Sequence, residues 1–194
     1  MTRTRRSTRS HPGRPLRALG AVVLTALAAV LPAAVPASAS PDPTADGWIC
    51  DPGHYRINTS DGMVFDISQG PDNPGAVVQY DYWGGANQQW RVCHWPGSTD
   101  TAHYIFKSRL NGRCLTLFGG YWGEGNWFGE GDCNGWITRS QTFWLSRDPA
   151  TGTFAMQVQH DGFWVAVEEN QFTTRRAHLV QSSTRAGAFS LQAV

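Results

Sequence analysis

An Asp-Gly or Asn-Gly pair recurs three times in this 194-residue chain, at Asp61-Gly62, Asn111-Gly112 and Asp161-Gly162, with the glycines 50 residues apart each time. Each pair lies between short runs of strand character: HYRINTS and MVFDIS, HYIFKSR and RCLTLF, TFAMQVQ and FWVAV. In that setting the pair marks a tight turn whose glycine takes positive φ, a conformation that penalises any side chain with a Cβ. Each unit then closes on a small or polar residue, an aromatic and an aliphatic at alternate positions: Gln88, Trp90, Val92; Gln141, Phe143, Leu145; Gly187, Phe189, Leu191. A chain with this period is built from three like units that share one core.

Short strands bounded by Gly, Asn, Asp and Pro, with no sustained helical period, predict an all-β barrel or sandwich. The repeat selects the barrel, because three units of four short strands closing on one another leave no free sheet edge. Trp90, Phe143 and Phe189 hold equivalent positions and are expected in the core near the threefold axis.

Residues 1–39 read as a secretory signal. Arg3, Arg5, Arg6, Arg9, Arg14 and Arg17 precede an apolar run from Ala18 to Leu31, and Ala37-Ser38-Ala39 offers small residues for cleavage. The expected product is secreted to the extracellular space with no membrane association after cleavage; residues 40–47 form a polar linker and residues 48–194 a single domain. All 15 acidic residues but only 10 of the 16 Lys and Arg lie beyond residue 40, so the mature chain carries a net charge of 10 − 15 = −5. A modestly acidic surface with scattered arginines excludes nucleic acid and anionic lipid as natural partners. Cys50, Cys93, Cys114 and Cys133 allow three pairings, and in an exported chain all four are expected to be oxidised. No histidine stands at zinc spacing to any of them, and neither a metal nor another cofactor is expected.

The first unit resembles the ricin-type β-trefoil lectins: VFDIS matches the family's aliphatic-Asp-aliphatic segment, and VVQYDYWGGANQQW follows its closing segment nearly residue for residue. The resemblance implies a β-trefoil of three pseudo-repeats, a carbohydrate partner and one sugar site. It places Asp66 as the carboxylate that grips two hydroxyls and Tyr80 as the stacking platform. Asn87 would bind the same hydroxyls, and Gln88 would support the carboxylate or the sugar itself. Those residue types suit a pyranose, which offers vicinal hydroxyls on its edge and an apolar C–H patch on one face. Val78 departs from the family, whose plant members often carry Gln there. Galactose-type or xylan-like glycans are the first expectation for the ligand, with the protein a monomer. The family's intra-repeat disulfide implies Cys114 with Cys133, and so Cys50 with Cys93.

The later units lack that set. Thr116 and Ala166 stand where the Asp would be, Gly131 and about Leu179 where the aromatic would be, and Ser140 replaces the Asn. The third unit resembles the fascin-type actin-crosslinking trefoils as much as the lectins, and these share the fold without the sugar site. The second unit instead has GGYWGEGNWFGEGDC, whose Tyr121, Trp122, Trp127 and Phe128 among glycines either form a binding surface or fold back over the barrel. Hence the alternative to a lectin is an interaction module, an inhibitor or fascin-like binder using the loop 118–132. Glu168-Glu169 and Arg175-Arg176 read as a solvated loop with surface ion pairs worth little. No nucleophile elbow, zincin helix, phosphate loop or spare cysteine is present, so no enzyme is expected.

Overall fold

The computed structural model describes residues 42–43, 47–97, 103–118, 123–133, 139–169 and 175–194. The signal over residues 1–39, most of the linker, and Tyr121 and Trp122 lie outside the described residues. The domain falls within the unit Ser38–Val194.

Six strands form a closed ring: β3 (Tyr55–Thr59), β6 (Trp90–His94), β7 (Tyr104–Ser108), β10 (Phe143–Asp148), β11 (Thr153–Val158) and β14 (Phe189–Ala193). Pairing runs β3 to β6, β6 to β7, β7 to β10, β10 to β11, β11 to β14 and β14 back to β3, all antiparallel. Three hairpins cap one end: β4 (Val64–Ile67) with β5 (Val77–Tyr80), β8 (Cys114–Leu117) with β9 (Phe128–Gly131), and β12 (Trp164–Val167) with β13 (Leu179–Ser182). Each unit therefore contributes two ring strands and one hairpin, and the fold is a β-trefoil. The single ring contact inside each unit falls on equivalent aromatics: Tyr55 opposite Trp90, Tyr104 opposite Phe143 and Phe154 opposite Phe189.

Period-2 patterning produces the ring. In β11 Phe154, Met156 and Val158 are buried while Thr153, Ala155 and Gln157 are partly exposed, as alternate side chains on opposite faces require. Trp90, Phe143 and Phe189 are buried in one continuous core. Phe143 packs edge-on against Phe106, and Phe189 against Phe65.

The three repeated glycines adopt φ of 79° at Gly62, 76° at Gly112 and 75° at Gly162. Each turn closes with a backbone hydrogen bond, from Gly62 to Thr59, Gly112 to Ser108 and Gly162 to Val158. The strands that follow pair with their predecessors at one position only, for example Asn58 with Val64. The turns are thus corners that send the chain from the ring up into a cap hairpin.

Cys50 is bonded to Cys93 and Cys114 to Cys133. The first bond joins β2 (Ile49–Cys50) to β6, where the two residues already face one another. At the chain's entry β1 (Asp42–Pro43) pairs with β2, within the stretch whose composition predicts a free polar linker. Backbone pairing of this kind needs no apolar face, so composition is silent about it.

Candidate functional site

Asp66 lies in β4, whose four residues are all buried. Strand alternation turns it away from Phe65 and Ile67, which enter the core. Asn87 and Gln88 come from a single 3-10 turn, Ala86–Gln88, that ends two residues before Trp90 anchors β6. That turn brings two adjacent amides onto one carboxylate. Asn87 Nδ2 donates to Asp66 Oδ1 at 3.0 Å and to the Ile67 carbonyl at 3.2 Å. Gln88 Nε2 donates to Asp66 Oδ2 at 2.8 Å and to the Asp81 carbonyl at 2.8 Å, while its Oε1 accepts the Trp83 backbone N–H at 2.8 Å.

Asp66 is 7% exposed. Burial pushes its carboxyl above the ordinary Asp value, against the opposing pull of hydrogen bonds from the Gln88, Asn87 and Trp83 side chains and the charge of Arg176. Each carboxylate oxygen can accept more than one hydrogen bond, so one amide apiece leaves acceptor capacity on both. Asn87 Oδ1, also buried, has no hydrogen-bond partner within the protein.

These groups line an open cavity of about 170 Å³ whose walls include Asp66, Ser68, Val78, Tyr80, Trp83, Asn87 and Arg176. Of the four residues expected from sequence, Asp66, Tyr80 and Asn87 reach the cavity. Gln88 is fully buried behind the carboxylate, bonded to Asp66, to the Asp81 carbonyl and to the Trp83 backbone. Tyr80 is partly exposed, with the Arg175 guanidinium 6.0 Å from its ring centre and paired to Asp81.

Trp83 and Arg176 are lining residues that the sequence reading passes over. Trp83 is 64% exposed, and its indole lies across Gly85, where an added Cβ would come within 2.2 Å of the ring and 2.4 Å of Asn87 Oδ1. Its signal was legible as a tryptophan directly before Gly-Gly in a polar loop. Arg176 arrives from the third unit, held by its backbone N–H to the Gln79 carbonyl at 2.8 Å, and no local pattern announces it. The solvated loop with surface ion pairs expected at Glu168-Glu169 and Arg175-Arg176 holds at Arg175, whose pair with Asp81 is exposed, and not at Arg176. Arg175 pairs with Asp81, Arg176 enters the cavity wall, and Glu168 meets His178 at 3.2 Å.

Register confirms the other two units as unlike the first. Asp66 stands opposite Val78, Thr116 opposite Gly129 and Ala166 opposite Val180. Tyr80, opposite Val64, has Gly131 and Ser182 as its equivalents. The expectation of Leu179 at the aromatic position is therefore wrong by three residues: Leu179 matches Val77 and is wholly buried. The described aromatics near the end of the stretch 118–132 do not stand free either. Phe128 opens β9 and is fully buried, and Trp127 stacks on His178 with ring centres 3.7 Å apart. Its carboxylates are engaged too, Glu124 with Ser182 and Ser183, and Glu130 and Asp132 with Arg113. Among the described residues no group of three His, Cys, Asp or Glu is placed to hold a metal.

The family model for ricin-type beta-trefoil lectin domain-like proteins matches residues 44–127, the stretch that holds the whole first unit and its site. No curated protein sequence matches the chain. Among solved structures, the designed threefold-symmetric protein ThreeFoil superposes with a TM-score of 0.62 at 26% identity, over 73% of this chain and 99% of that one. A ricin B-like lectin of Macrolepiota procera, solved with lactose, gives 0.56 at 20% identity over 73% of this chain and 95% of its own. An exo-beta-1,3-galactanase of Clostridium thermocellum gives 0.59 at 19% identity over 74% of this chain but only 31% of the enzyme. Over residues 44–127 the sequence matches the ricin-type lectin-like family model, and the described domain has the β-trefoil fold.

Proposed function

We propose that the protein is a secreted, monomeric, non-enzymatic carbohydrate-binding protein whose one sugar site is the cavity over Asp66. The observation that carries this reading is a carboxylate fixed by two amides at the base of an open cavity, with acceptor capacity left over and an aromatic on each of two walls. Burying an ionised carboxylate is costly, and a fold that retains one beside a cavity has it available for a ligand. In this reading Asp66 accepts two hydroxyls, Asn87, whose two Nδ2 hydrogens are given to Asp66 and Ile67, accepts from the same pair through Oδ1, and Gln88 holds the carboxylate. Tyr80 and Trp83 offer apolar planes to the C–H face of the ring. A galactose-type sugar suits a carboxylate beside an aromatic, because its axial hydroxyl lies opposite an apolar face; xylan fragments are the second class. Two disulfides accord with export to an oxidising compartment.

The competing reading, an inhibitor or fascin-like interaction module working through the stretch 118–132, is less favoured because Trp127 and Phe128 are committed to packing. Calorimetric titration of galactosides and xylan fragments into wild type and Asp66→Ala decides between them. A single shallow site is expected to bind near millimolar, about −4 kcal/mol, with no second equivalent site for avidity. Binding should vanish in Asp66→Ala; equal binding by both proteins would move the site away from the first unit.

A further inference from the structure

The loop 81–89 lends alternate residues to a second cavity, of about 370 Å³, lined by Arg56, Tyr82, Gly84, Gln89, Arg109 and Gln192 among others. Its two arginines are held in place with care. Arg56 Nε donates to Gln192 Oε1 at 3.0 Å, its Nη2 donates to the same oxygen, and its guanidinium lies 4.6 Å from the Tyr82 ring centre. Arg109 Nη1 donates to Gln89 Oε1. Gln89 is buried and pinned in turn, its Nε2 donating to the Gly84 carbonyl at 3.0 Å and to the Tyr82 hydroxyl at 3.4 Å.

Every one of these partners is neutral. Arg113, Arg175 and His178 each meet a carboxylate, whereas among the described residues neither Arg56 nor Arg109 pairs with one. No Asp or Glu side chain lines the cavity; Val194, the last residue of the sequence, also lines it, and among the described residues no ion pair joins its carboxylate to either arginine. Amide oxygens orient a guanidinium without neutralising it. Arg56 uses two of its five donors and Arg109 one, which leaves N–H groups of fixed direction around the cavity. A neighbouring group registers the resulting potential: the imidazole of His54 is held below its ordinary value by burial first and then by the charges of Arg109 and Arg91.

We infer that this cavity is a second ligand site, separate from the one over Asp66, that takes a single oxyanion such as a sulfate ester or the carboxylate of an acidic sugar. Guanidinium forks match the planar or tetrahedral oxygens of such a group. A long polyanion is disfavoured by the net negative charge of the domain, which would repel everything but the group seated in the cavity. The inference does not depend on the sugar reading of the first cavity.

The test is an NMR titration of the whole protein, following the Arg56 and Arg109 Nε–Hε signals and the Gln89 and Tyr82 amides. The probes are sodium sulfate, with ionic strength held constant by sodium chloride, and methyl glucuronide against neutral methyl glucoside. Saturable shifts at these residues are expected with sulfate or glucuronide and not with glucoside. Saturation by sulfate alone assigns the site to a free oxyanion, whereas glucuronide binding assigns it to an acidic sugar. Affinity should fall at least tenfold in Arg109→Gln, with Arg56→Gln as a second variant should the first not fold, and should be unchanged in Asp66→Ala. Drift that chloride reproduces, or saturation that survives removal of either guanidinium, overturns the inference. Loss of sugar binding in Asp66→Ala with sulfate binding intact would separate the two sites, so either reading can fail without the other.

Discussion

Asp66 is a residue whose native setting opposes its own charge. Burial raises its pKa above the ordinary 3.8 and three side-chain hydrogen bonds only partly offset that. A folded-state pKa raised in this way makes a contribution to stability that is present below 3.8 and lost as pH rises through the folded value; at neutral pH the ionised group is a net cost. Two consequences follow in opposite directions. The stability of wild type relative to Asp66→Asn should decline as pH rises through that window, measured by thermal unfolding at matched salt. Sugar affinity should instead decline as pH falls through it, beginning at a higher pH than an ordinary Asp would give, because the hydroxyls need the ionised form. Parallel unfolding curves for the two proteins from acid to neutral pH would refute the buried-charge account. That Asp66, Tyr80 and Asn87 come together was legible in the sequence, and they line one cavity. The role of Gln88 as a fully buried brace was not, since a Gln two residues before a core Trp looks the same whether it faces ligand or carboxylate.

At the scale of the element, the 3-10 turn Ala86–Gln88 is the piece that assembles the site. It accepts this position because Gly85, which precedes it, leaves room for Asn87 Oδ1 and for the Trp83 indole. The φ of −67° at Gly85 is open to any residue, so its requirement is for space and not for backbone freedom. Gly85→Ala should therefore push Trp83 out of the cavity wall and strain Asn87, whose Nδ2 is tied to Asp66 and Ile67. The expected cost is about 1–3 kcal/mol of stability, as for other overpacked sites. A shift in tryptophan fluorescence and a loss of sugar affinity should accompany it; unchanged melting and unchanged binding would show that the turn tolerates a methyl group. The hairpins were only half legible. Asp-Gly and Asn-Gly mark the turns, but nothing local says that these turn a corner between ring and cap and do not extend a long two-stranded ribbon. Leu179 shows the same limit. With the hairpin's loop length unknown, its register slipped by three residues, and Ser182 takes the place expected of an aromatic.

The whole molecule is held by three equivalent aromatic closures around one core. Phe143 is fully buried and packs against Phe106 and Phe128 from the same unit. Phe143→Ala should cost about 3–5 kcal/mol, measured by denaturant unfolding. Because the ring closes through every unit, the loss should appear as one cooperative transition; a variant that melts the second unit separately would refute a single shared core. The shared core also sets the site's limits. Arg176 of the third unit completes the wall of a cavity whose other described residues belong to the first, so the units are not interchangeable modules.

Periodicity alone determined a closed barrel of three like units, because three copies of one turn and one closing aromatic can bury their apolar faces only by packing against each other. It also determined which unit carries a carboxylate, an aromatic and two amides together. Tertiary structure decided what depends on contacts between distant segments: that Arg176 and Trp83 wall the first cavity, that Trp127 and Phe128 pack instead of standing free, and that Arg56 and Arg109, 53 positions apart, converge on a second cavity beside neutral amides. The physical reason is one of range. Side-chain alternation and turn chemistry act over a few residues and are written locally, whereas the charge around a cavity is a sum over strands that meet only when the ring closes.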